Sequence, residues 1–126
     1  QRELARLAAR AGADLILGHH PHVLQGFEWL RGPDGRRVLA AYSLGNFVFD
    51  PRRPPADETG ILEAALGSSG VAHARLLPCL IRRCRPEPAT GRAAARILAR
   101  VADLSRRLGS GVGQDGVLSV SAPNGP

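Results

Sequence analysis

The strongest constraint on the fold lies at the start of the chain, where one amphipathic helix leads directly into a short apolar strand. Leu4, Leu7, Ala8 and Ala11 recur at i, i+3, i+4 and i+7, a spacing that predicts a helix over residues 2–11 with Gly12 as its stop. Residues 14–18, Asp-Leu-Ile-Leu-Gly, then read as a buried strand. A helix followed at once by a buried strand is an α/β signature. Residues 23–30 and 37–44 are β-prone runs around Gly32-Pro33-Asp34-Gly35, which favours reversal, so a hairpin is expected. Residues 50–57 carry Pro51, Pro54 and Pro55 and predict a surface loop. A second strand pair, 59–66 with 71–81, is joined through Gly67-Ser68-Ser69-Gly70.

The proline-rich stretch 85–91 precedes the longest predicted helix, 91–108, with Thr90 as N-cap and Gly109 as terminator. Its buried face is read as Ala94, Ile97, Leu98, Val101, Leu104 and Leu108. Arg92, Arg96 and Arg100 fall on the other side, facing solvent or acidic neighbours. A last short strand is expected over 116–121, so 1–121 reads as one domain portion and 122–126 as a flexible tail.

With 126 residues, the chain can build one core and no more. Its longest apolar run, Val38 to Tyr42, is far short of the roughly 20 residues of a membrane span, so no transmembrane segment is expected. The sequence opens inside a helical pattern without Met and reads as a piece of something longer, which leaves localisation open. Cys79 and Cys84 are too few for a disulfide framework and are expected to be ordinary thiols. The net charge of +6 comes from 17 basic residues, all Arg, against 11 acids. These arginines are dispersed and no nucleic-acid module accompanies them, so no specific nucleic-acid partner is expected.

The residues with chemistry to offer are in Gly18-His19-His20-Pro21-His22, directly after the first strand, where three of the four histidines lie together. Sheets of this class place ligands at strand ends. In extended backbone His20 and His22, at i and i+2, aim into one pocket, whereas His19 alternates away. Imidazoles suit zinc, iron and manganese-type ions, so His20 and His22 are candidate metal ligands and His19 a weaker third. Two histidines do not close a site, since catalytic zinc ordinarily takes about three protein ligands. Asp14, Asn46 and Asp50 are the other candidates. Asp14 suits a contact at the far end of the strand. Asn46 either completes a Gly-Asn turn or sends its amide into the pocket.

Two stretches, Gly12-Ala-Asp-Leu-Ile-Leu-Gly-His-His-Pro-His-Val-Leu-Gln25 and Ala41-Tyr-Ser-Leu-Gly-Asn-Phe-Val-Phe-Asp50, closely resemble the CapA family of poly-γ-glutamate capsule synthesis proteins, which belongs with the calcineurin-like metallophosphoesterases. The likeness touches most of the chain but only the C-terminal part of such a protein. It implies a four-layer α/β sandwich, two divalent ions (Mn, Fe or Zn) at the strand ends, and a Gly-His-x-His motif giving one His to each ion. Either His19 or His20 can head that motif, and His20-Pro-His22 has its spacing. By the same likeness, residues 43–47 border the active cleft, which makes Asn46 the candidate catalytic residue, and the remaining ligands lie upstream.

The resemblance implies a metal-dependent, phosphoesterase-type hydrolase acting on a phosphoester, or working in poly-γ-glutamate synthesis beside other capsule-synthesis proteins in a bacterial envelope. A non-catalytic scaffold for polymer export or anchoring is the rival. The arginine excess after residue 50 offers a surface for an anionic polymer, with Arg96 and Arg100 as the residues to test.

Overall fold

The apolar run Val38 to Tyr42 becomes the centre of the molecule. The structure is a computed structural model that describes residues 1–50 and 53–120. In chain order it contains α1 (Arg2–Arg10), β1 (Leu15–Leu17), β2 (Phe27–Arg31), β3 (Arg37–Ala41), β4 (Glu58–Gly67), β5 (Gly70–Arg82), β6 (Arg85–Pro88), α2 (Gly91–Arg106), β7 (Ser110–Val112) and β8 (Leu118–Val120). A six-stranded mixed sheet follows the order β1-β3-β5-β4, with β2 also on β3 and β6 also on β5. β3 runs parallel to β1 and β5 and antiparallel to β2.

Both faces of β3 are covered, which is why its sequence is continuously apolar. Leu39 and Ala41 point into the main core with Phe27, Leu76, Ile97 and Val101, under α2. Ala40 and Tyr42, on the opposite face, meet Ala5 of α1. The α/β class is therefore as expected: one sheet with a helix against each face.

α1 buries a different stripe from the one its leucines suggest. Ala5 and Ala9 are 3% and 1% exposed, while Leu4 and Leu7 are 70% and 56% exposed. The small side chains let the helix lie close over Ala40, and a polar cluster sets its rotation. Buried Glu28 on β2 accepts hydrogen bonds from Arg2 and from the Tyr42 hydroxyl, and Arg6 adds an ion pair at 3.4 Å. Two further differences concern strands. Residues 85–88 form β6 because a turn at Arg83-Cys84 folds them back on β5, and β7 pairs with β8, so the last predicted strand gains a partner. The predicted end of that strand at residue 121, and the tail 122–126, lie outside the described residues.

Candidate functional site

The chain leaves β1 at Gly18, and the close approach there admits only glycine. A Cβ on Gly18 would sit 2.3 Å from the Tyr42 carbonyl oxygen. The Gly18 N–H instead donates to the Ala41 carbonyl at 2.7 Å, so the histidine loop starts flush with the end of β3. Beyond it the backbone does not stay extended: His20 has φ 104° and His22 φ 60°. This corrects the alternation argument, because residues in the left-handed region do not follow the pleat of a strand. The two rings are nevertheless neighbours, with centroids 6.4 Å apart and planes tilted by 50°. A turn gathers them, and non-glycine residues held at positive φ are a form of strain that concentrates at functional sites.

Asn46 fastens one of these rings. Its side chain is buried, and its Nδ2 donates to the His22 and Ala56 carbonyls at 3.1 and 3.0 Å, which fixes the orientation of the amide. Oδ1 therefore faces His22 Nδ1, at 2.7 Å. An amide oxygen only accepts, so Nδ1 carries the proton and the lone pair of His22 is left on Nε2. Such a hydrogen bond on one ring nitrogen settles which nitrogen is offered to a ligand. Asn46 thus sends its amide into the histidine loop, the second of its two readings. The surrounding turn is held by Gly45 at φ 76°, by its N–H bond to Ser43 Oγ (3.1 Å), and by Thr59 Oγ1 donating to the Leu44 carbonyl (2.8 Å).

His19 is exposed and lines a shallow cavity of about 290 Å³ with Leu44, Asn46, Phe47, Thr59 and Ile61, a cavity that neither His20 nor His22 lines. Asp14 stands at the other end of β1, paired with Arg36 at 3.3 Å. Asp50 is exposed. Phe49, which motif reasoning passed over, lies with its ring 5.6 Å from that of His22. Its signal was the run Phe47-Val48-Phe49, apolar yet 45%, 75% and 50% exposed. Among the described residues no three His, Cys, Asp or Glu side chains converge as metal ligands.

The arginines singled out for an acidic polymer are already engaged. Arg96 Nε and Arg100 Nη1 reach the two carboxylate oxygens of Glu58 at 2.9 and 3.3 Å, and that side chain is only 4% exposed. The acidic neighbour expected beside this helix face is thus an internal one, which ties α2 to the start of β4.

Residues 1–51 match the family model described as bacterial capsule synthesis protein PGA_cap. The chain is 39% identical over 88 residues to the PGA biosynthesis protein CapA of Bacillus subtilis (strain 168), covering 70% of this chain and 22% of that protein. It is 38% identical over 90 residues to the capsule biosynthesis protein CapA of Bacillus anthracis, covering 71% and 21%. An uncharacterized protein, y4sH, of Sinorhizobium fredii (strain NBRC 101917 / NGR234) is 46% identical over 55 residues, covering 44% and 11%. The chain spans about a fifth of the length of the two CapA relatives.

Proposed function

The chain belongs to the CapA family of capsule synthesis proteins, and on that premise we propose that it carries the histidine side of a dinuclear, phosphoesterase-type hydrolase site used in poly-γ-glutamate capsule synthesis. The observation that carries this reading is the His22–Asn46 contact, which leaves Nε2 of His22 as a lone-pair donor beside the His20 ring. The two rings, 6.4 Å apart, would be the imidazoles this chain supplies to such a site. With two imidazoles from this chain, carboxylate or further imidazole ligands are required from outside its described residues.

When bound, two such ions would lower the pKa of a water and neutralise charge building on a phosphoryl oxygen. The chain's own residues do the positioning. Asn46 holds the His22 ring in one tautomer, Phe49 walls one side of it, and Gly18 anchors the loop to the sheet. His19, which lines the cavity beside Asn46, is the weaker candidate for a third ligand. The four-layer sandwich and an envelope location belong to the same proposal, as features of the whole protein.

The scaffold reading draws on the absence of a third converging ligand among the described residues. Metal content separates the two. A full-length protein containing this chain is expected to bind two ions, to hydrolyse a chromogenic phosphodiester, and to lose both properties in His20→Ala and His22→Ala. One ion or none, with no turnover, selects the scaffold.

A further inference from the structure

Arg2, Arg6, Arg36, Arg96, Arg100, Arg106 and Arg107 are ion-paired with the carboxylates of Glu28, Asp14, Glu58 and Asp103. Arg82, Arg83 and Arg85 are exposed and have no ion-pair partner among the described residues. They crowd one hairpin tip, and two features there oppose the stability of the hairpin itself. The register sets Arg82 directly across from Arg85, a like-charge pair. The two turn residues, Arg83 at φ 50° and Cys84 at φ 62°, both occupy the left-handed region, where a tight hairpin normally places Asn-Gly. Local rules broken together without an internal gain point to a use outside the fold.

The tip is also well placed. β5 runs parallel to β3, so its C-terminal end lies at the end of the sheet that bears the histidine loop. A short relay connects them: Asn46 Nδ2 donates to the Ala56 carbonyl, and the next residue, Asp57, accepts at its carbonyl from Ile81 N–H at 2.8 Å, adjacent to Arg82. We propose that the turn carrying Arg82, Arg83 and Arg85 is an anion-binding arm that holds a polycarboxylate chain at the histidine-bearing end of the sheet. Guanidinium groups match carboxylates two bonds at a time. Residues 80–88 offer no aromatic ring for base stacking, which argues for a carboxylate polymer over nucleic acid. The identity of the polymer rests on the capsule-synthesis reading, whereas the position of the arm does not.

Titrating fluorescent poly-γ-glutamate onto the full chain at low salt tests this. The variant R82Q/R83G/R85Q is expected to bind about tenfold more weakly and with a flatter salt dependence, while R92Q binds as the parent does. If the triple variant loses its circular-dichroism signature, R82Q/R85Q, altered only at exposed strand positions, gives the same comparison. Unchanged affinity in the arm variant, no saturable binding by the parent chain, or equal affinity for single-stranded DNA of matched charge would overturn the assignment. His20→Ala and His22→Ala are expected to keep polymer binding. A protein that binds polymer through the arm yet lacks metal and turnover refutes the hydrolase reading alone.

Discussion

Tyr42 is the one tyrosine of the chain, and its hydroxyl donates to the buried Glu28 carboxylate. Burial, reinforced by that neighbouring negative charge, pushes its pKa from 10 to about 12. A raised pKa stabilises the fold fully below pH 10, and this contribution fades as pH rises through about 12. Tyrosinate absorbance of the native chain should therefore appear late in an alkaline titration, and a midpoint near 10 with helix content intact would contradict the contact. The cysteines differ in the same way. Cys79 is 1% exposed and burial raises its thiol pKa, whereas Cys84 is exposed on a turn. A thiol reagent is expected to modify one site quickly, with the second following only on unfolding, as peptide mapping will show. At this scale the sequence was legible in part. That His20, His22 and Asn46 are candidate site residues was read from residue type and motif. Their conformation was not, because the contact that positions His22 comes from residue 46, far along the chain.

Among the elements, α2 shows how a surface pattern misleads. Arg96 and Arg100 look like a solvated cationic face, yet they neutralise Glu58, which lies 3% exposed at the start of β4. Arg96→Ala with Arg100→Ala strands a buried carboxylate, and a loss of about 3 kcal/mol is expected in denaturant unfolding. Helix α1 gives the converse case. Its leucines follow helical periodicity, but Leu4 and Leu7 face outward and the alanines face the sheet. Leu4→Gln with Leu7→Gln should change the stability of this chain by no more than about 0.5 kcal/mol, whereas Ala9→Leu, forced into a contact with 1% exposure, should cost about 1–3 kcal/mol. Equal losses from both would place the wrong stripe in the core. Periodicity identified the helix correctly, but two adjacent stripes were both apolar, and only packing against Ala40 and the Glu28 cluster chose between them.

Over the whole molecule, the connection between α1 and the sheet passes through Glu28, whose electrostatics set an acid limit on the fold. Burial alone would raise its carboxyl pKa, but hydrogen bonds from Arg2 and Tyr42 outweigh that and the net shift is downward from 4.5. A lowered pKa contributes stability that is complete above about 4.5 and disappears as pH falls through the folded value. Denaturant midpoints measured from neutral to acid pH should drop below that point, and Glu28→Gln should flatten the drop. Among the described residues no helix is long and apolar enough to cross a membrane, in line with the expectation from the sequence. By itself the sequence determined the α/β class, both helices and the loop that bears the histidines, because these follow from local periodicity, glycine placement and residue chemistry. Only the tertiary structure decided which helix stripe is buried, which arginines are occupied and which are left over, and which nitrogen of His22 is free. Each of those depends on a partner brought close by folding from a distant part of the chain, and no local pattern encodes that distance.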